Sequence, residues 1–188
     1  MKDHTQSIVS VFDKYAEQYA DRYSDMTIYT EMINCFMGSC STDSKILDIA
    51  CGPGNILDLI VRNFPELAVT GIDLSPAMLE IARERFPRGH FYELDMRDLD
   101  ELNDQFDRIC CSFGLPYIAV DELPLWLESI EKRLASKGRI YLSTMIKLKS
   151  SAELVFANSG EGKGILTSYY SKDYLRKTLK DCGFTVEK

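Results

Sequence analysis

The apolar run Ile46-Leu47-Asp48-Ile49 carries one acid and breaks into Ala50-Cys51-Gly52-Pro53-Gly54, after which a helix-length amphipathic stretch begins. This succession recurs. Short apolar runs at 68–73, 90–94, 106–112 and 139–145 are interleaved with helical periods over about 55–64, 76–86 and 122–136 and with a short helical turn near 96–102. Continuous apolar runs of this length suit strands buried on both faces, and strands alternating with helices build a mostly parallel sheet covered on both sides. The expected fold is α/β and doubly wound.

Helical spacing in SIVSVFDKYAEQYADRY places Ile8, Phe12, Tyr15 and Tyr19 on one face, and TIYTEMINCFMG forms a second helix ending near Gly38. Residues 1–40 are thus expected as N-terminal cap helices and 41–188 as the α/β domain. Ser75-Pro76 supplies an N-cap with proline at the first helical position, and Ser171 and Gly183 bracket a last helix. KLKSSAELVFANSGEGKG, at 147–164, is polar and glycine-bearing; it is expected as a mobile loop with a helical turn at Ala152–Ala157. Phe184-Thr185-Val186 has the look of a sixth strand on which the sequence stops, which predicts a truncated chain or an unusual sheet edge without its final hairpin strand. A second copy could cover such an edge, so a homodimer is expected.

The formal charge of −7 argues against a broad nucleic-acid surface. The opening MKDHTQSIVS has no apolar signal core, and no stretch reaches the length of a membrane span. The cysteines form no C-x-x-C pair and several sit in strand-like runs, which fits reduced thiols and a cytoplasmic protein. With no His, Cys and acidic cluster at ligand spacing, no metal is expected.

Glycine lets a ligand touch the main chain, so the 50–54 loop is the first candidate site. It is not a phosphate loop, because no Lys-Ser/Thr pair follows, and its A-x-G-x-G spacing departs from the G-x-G-x-x-G of nicotinamide cofactors. An acid stands where the second strand ends: Asp73 in VTGID can accept both hydroxyls of a ribose. Asp95 closes the third strand, placed for an exocyclic amine, with Met96 offering an apolar face to a purine. Acids at three neighbouring strand tips repel pyrophosphate and suit an adenosine that carries positive charge.

The ordered set ILDIACGPGN, VTGIDLSPAMLEIAR, FYELDMRDL and FDRICCSFGLPYI resembles the class I S-adenosylmethionine-dependent methyltransferases over about residues 44–145. FDKYAEQYADRY is similar to the N-terminal helix of small-molecule members. The resemblance implies a Rossmann-like sheet and S-adenosylmethionine as cofactor. It implies that Asp48, Ala50, Cys51, Gly52 and Gly54 shape the methionine end. Asp73, with Leu74 and Met78 beside it, would serve the ribose side, Asp95 and Met96 would flank adenine, and Cys111 or Ser112 would lie beneath the cofactor. Tyr19 is carried forward as a wall of the site. One departure is Ala50, where the family pattern has glycine.

Transfer from a sulfonium chiefly needs positioning. A neutral amine, thiolate or carboxylate needs no dedicated base, whereas a phenol or alcohol does, and no catalytic base stands out. Enzymes that methylate base amines resemble one another in an Asp/Asn-Pro-Pro-Tyr stretch; Gly114-Leu115-Pro116-Tyr117 lacks its leading polar residue and first proline. A small-molecule acceptor, without nucleic acid or membrane, is the expected partner, and the cap helices with the 147–164 segment are placed to cover it. The alternatives are a non-catalytic S-adenosylmethionine-binding protein and an NAD(P)-dependent oxidoreductase.

Overall fold

The structure is a computed structural model that describes residues 2–156 and 164–187. Strand β1 (Lys45–Ile49) is central in a sheet with β2 (Ala68–Asp73), β3 (His90–Glu93), β4 (Phe106–Ser112) and β5 (Leu134–Ser143), ordered β3-β2-β1-β4-β5. All its pairings are parallel. The strand order reverses between β1 and β4, and at such a switch point a crevice opens outside the carboxyl ends of the strands.

Successive strand residues face opposite sides, so a strand covered twice must be apolar throughout. Ile46 lies in the core with Phe36, Leu57 and Ile60, whereas Leu47 lies in the opposite core with Ile109, Trp126 and Leu127. Helices α3 (Thr30–Met37), α4 (Asn55–Asn63), α5 (Pro76–Arg85), α6 (Leu123–Arg133) and α7 (Lys172–Asp181) supply these layers. Buried Arg108 crosses one of them: its Nε donates to the Phe36 carbonyl (2.7 Å) and its Nη2 to that of Met37 (2.8 Å), tying β4 to the end of α3.

Three expectations need correction. The first segment is two helices, α1 (Lys2–Lys14) and α2 (Ala16–Arg22), with Tyr15 outside helical geometry between them. No glycine or proline marks the break; both pieces pack on α5, and that tertiary contact decides it. Secondly, the segment after β5 is not a loop with a helical turn. Strands β6 (Ser151–Phe156) and β7 (Gly164–Tyr169) pair antiparallel in a separate two-stranded sheet, while 157–163, including Ala157, lie outside the described residues, as does the mobility expected there. Thirdly, Phe184 starts no strand. Its amide donates to the Leu179 carbonyl (2.9 Å), that of Gly183 donates to Lys180, and Gly183 has φ +85°. This is the glycine-terminated helix cap whose following apolar residue folds back, and Phe184 packs on the core beside Leu179. Among the described residues no helix is long and apolar enough to cross a membrane.

Candidate active site

The turn after β1 is built on three left-handed residues, Ala50 (φ +54°), Gly52 (+53°) and Gly54 (+81°). Its inner side is tied to the end of β2: the Cys51 amide donates to the Ile72 carbonyl (3.0 Å) and that of Gly52 to Asp73 Oδ2 (2.8 Å). Its outer side is held by Arg85, whose Nη1 donates to the Pro53 carbonyl (2.8 Å) and to Asn55 Oδ1 (2.7 Å). The two glycines serve different ends. A Cβ on Gly54 would meet Phe86 at 2.4 Å, so this glycine is required by packing. A Cβ on Gly52 would find nothing nearer than Met78 Sδ at 4.0 Å, so this stretch of main chain is bare toward the crevice.

Behind the turn lies Asp48, 2 % exposed, with the Cys110 thiol donating to its Oδ1 at 3.3 Å. Burial pushes its carboxyl up to about 7; the Cys110 bond opposes that rise and the charge of Asp73 adds to it. Asp73 is also raised, first by burial, against which its bonds from Ser75 and Gly52 act. Its Oδ1 accepts the Ser75 amide (2.9 Å), and Ser75 Oγ caps α5 by accepting the Met78 amide (3.2 Å). Asp13 of α1 completes the arrangement, its Oδ1 accepting from Ser75 Oγ (2.5 Å) and from the Ala77 amide (3.0 Å). The cap is thereby fastened beside the acid at the tip of β2.

Past β3, Asp95 is not a free acceptor. Arg97 closes on it, Nε to Oδ1 at 2.8 Å and Nη2 to Oδ2 at 2.5 Å. Burial would raise the Asp95 pKa, but the bonds and charge of Arg97 outweigh it and hold the carboxyl low. Met96 is buried, and its carbonyl accepts Trp126 Nε1 (2.8 Å). Leu74 is half-buried and Met78 fully buried.

Cys111 is buried at the end of β4, and Ser112 Oγ shares a hydrogen bond with Ser143 Oγ of β5 (3.0 Å). The chain then turns through Phe113 (φ +59°). At Gly114 an added Cβ would lie 2.5 Å from Cys111 Sγ, 3.0 Å from the Ala50 Cβ and 3.4 Å from Met96 Cε. The turn after β4 therefore sits directly on the turn after β1. Tyr170 fixes its far side by donating to the Ile118 carbonyl (2.7 Å). Above, Phe12 makes edge contacts with Tyr19 and with Tyr117, each at 5.8 Å between ring centres. Tyr19 is pushed up to about 12 by burial, with Tyr23 and Asp73 adding to the rise.

The acids Asp48 and Asp73, the 50–54 turn, Met78, Met96, Ser112 and Tyr19 thus converge at one end of the sheet. Sequence reasoning missed Asp13, Arg97, Tyr117 and Ser143, which reach the site from distant segments. Proximity of Arg97 to Asp95 in DMRDL was the one legible signal. Among the described residues no group of His, Cys and acids could hold a metal ion.

Residues 46–138 match the family described as "Methyltransferase domain". The chain is 31% identical over 131 residues to a demethylmenaquinone methyltransferase of Thermotoga maritima, a match that covers 70% of this chain and 52% of that protein. It is 30% identical over 139 residues to a malonyl-[acyl-carrier protein] O-methyltransferase of Acetivibrio thermocellus, covering 71% and 47%. The chain thus spans about half the length of these curated relatives. The solved DhpI-SAH complex superposes with a TM-score of 0.73 at 18% identity, over 97% of this chain and 90% of that one, a likeness of fold. Residues 46–138 are a methyltransferase domain, and the chain that carries them is similar to S-adenosylmethionine-dependent methyltransferases.

Proposed function

We propose that this chain transfers a methyl group from S-adenosylmethionine to a small-molecule acceptor. The observation that carries the reading is bare main chain at Gly52 beside the carboxylate of Asp73. That combination fits a nucleoside without phosphates: a pyrophosphate would face Asp73 and Asp48, whereas an ammonium and a ribose find acceptors there. When bound, S-adenosylmethionine supplies a sulfonium methyl open to in-line displacement. Ala50, Cys51, Gly52 and Gly54 hold its amino-acid end, with Asp48 as the negative charge behind them. Asp73 retains lone pairs for ribose hydroxyls, and Leu74, Met78 and Met96 give apolar contact. Asp95 can serve the adenine amine only with lone pairs left over by Arg97. Ser112 and Tyr19 border the methyl end.

In this reading residues 1–40 act as the cap and 41–188 as the cofactor-binding domain. The acidic charge and the cap suit a small acceptor rather than a nucleic acid, and the outer edges of β3 and β5 suit pairing with a second copy. Reduced cysteines suit the cytoplasm. The two curated relatives bear names with chemically different acceptors, so neither acceptor is carried over. Calorimetry with S-adenosylmethionine and NADH tests the reading. Micromolar binding of the first without the second is expected; the reverse overturns it.

A further inference from the structure

We infer that the acceptor is an amine, held and methylated at nitrogen against a wall of aromatic rings and carboxylates; the inference rests on the methyl-transfer reading above. The wall has two patches. Phe12 of the cap meets both Tyr19 and, in the turn after β4, Tyr117, and Tyr19 in turn meets Tyr23 at 4.6 Å between centres. Tyr29 meets Phe113 at 6.2 Å. Gly114, between Phe113 and Tyr117, is wedged on Ala50, so this wall adjoins the cofactor turn. Asp73 holds that same turn through the Gly52 amide (2.8 Å), and burial first, then neighbouring tyrosines, then the Asp73 charge raise the hydroxyl pKa of both Tyr19 and Tyr117.

Of the basic side chains near the wall, Arg97 and Lys14 are engaged away from it and Arg22 lies on its exposed ring, Tyr23. Arg97 closes on Asp95 and also reaches Thr5. Arg22 is exposed and stacks on Tyr23 at 5.8 Å, and Lys14 sits over Tyr15. What adjoins the turn is therefore π surface together with the carboxylates of Asp13 and Asp73, an environment that attracts cations.

Charge accounting then separates the nucleophiles. A carboxylate or thiolate brings negative charge among these acids, and its methylation destroys the sulfonium charge that they stabilise. A phenol or alcohol must lose a proton, and the Tyr19 hydroxyl, pushed up to about 12 by burial, stays protonated and is no base. A neutral amine fits. Its lone pair forms the new N–C bond as the C–S bond breaks and the bonding pair goes to sulfur. Positive charge passes from sulfur to nitrogen without leaving the rings and carboxylates, so the site stabilises charge throughout the transfer. An acceptor that arrives as the ammonium first gives one proton to water, which frees the attacking lone pair, and the product leaves as the N-methylammonium.

The test uses three small probes of one shape: choline, its uncharged isostere 3,3-dimethylbutan-1-ol, and 3,3-dimethylbutanoate. Each is titrated by calorimetry into the full chain saturated with S-adenosylhomocysteine. Choline is expected to bind at least about tenfold more tightly than either of the others, as a cation against a largely desolvated ring does. Tyr19→Leu should erase most of that preference and Tyr19→Phe, which keeps the ring, should retain it. Absence of a choline preference in the wild type, or tighter binding of the carboxylate, overturns the amine assignment whether or not the variants fold. If S-adenosylhomocysteine itself fails to bind, the methyl-transfer reading falls instead.

Discussion

Asp73 and Gly52 are joined by a hydrogen bond of 2.8 Å from the glycine amide to Oδ2, while Oδ1 accepts the Ser75 amide at 2.9 Å. One carboxylate thus fixes the 50–54 turn and the start of α5 together. Hydrogen bonds to a charged group contribute about 1.5–3 kcal/mol each. Asp73→Ala should weaken S-adenosylmethionine binding at least about tenfold, since about 1.4 kcal/mol corresponds to that factor. It should also lower the melting temperature without ligand, because two amides lose their acceptor. Calorimetry and thermal melts read the two effects separately.

The glycines of the turn predict opposite signatures. Gly54→Ala places a Cβ 2.4 Å from Phe86 at φ +81°, so it should cost about 2 kcal/mol or more of stability in urea unfolding. Gly52→Ala meets open space, and its stability loss should stay near the about 1–2 kcal/mol of the left-handed backbone alone. Its binding loss should be the larger of the two, and Gly52→Val worse still, because the added atoms point where the main chain is bare.

Ala50 occupies φ +54°, a conformation in which a side chain costs about 1–2 kcal/mol and glycine nothing. Glycine loses about 0.5–1 kcal/mol more chain entropy on folding. Ala50→Gly should therefore stabilise the protein by about 0.5–1 kcal/mol, measurable as a raised urea midpoint with unchanged slope. An unchanged or lowered midpoint would count against strain at this residue.

The buried carboxyl of Asp48 titrates at about 7 in the folded chain, against 3.8 as its ordinary value. Between these limits the folded state holds a proton that the unfolded state has released, so the contribution of this group to stability falls as pH rises from about 4 to about 7. Asp48→Asn should raise the melting temperature at pH 8 and leave it nearly unchanged at pH 4. An ammonium favours the ionised form, so S-adenosylmethionine should bind more tightly at pH 8 than at pH 6, with proton release at pH 6. The variant should lose most of that pH dependence. Calorimetry in two buffers of different ionisation enthalpy measures the proton count.

Asp13 caps α5 from another helix, accepting from Ser75 Oγ and the Ala77 amide. Asp13→Ala should release the cap more than it unfolds the core. Hydrogen exchange is expected to quicken over 5–22 and at Ala77 while β1 and β4 stay protected. Uniform quickening across the sheet would show instead that the cap is part of the cooperative core.

The strands 68–73 and 106–112 and the cap at Ser75 were legible because they depend on neighbours in sequence: apolar run length, a serine before a proline, a glycine after a helix. The same local logic misread 147–164. Ser151–Phe156 becomes a strand only because Gly164–Tyr169 pairs with it, and a pairing partner leaves no mark on a single segment. Phe184 was misread for a related reason, since an apolar residue after a glycine can start a strand or close a helix cap, and contact with the core beside Leu179 decides.

The sequence by itself determined the sheet's parallel character, the left-handed turn at 50–54 and the acids Asp48 and Asp73 beside it, because strand burial and glycine backbone freedom are properties of short segments. Only the tertiary structure decided that Asp13 clasps the start of α5, that Arg97 occupies Asp95, and that Phe12, Tyr19 and Tyr117 form one wall. These contacts join residues from separate elements or depend on side-chain direction, and a carboxylate or a ring reveals its partner only when the folded chain has set the distance between them.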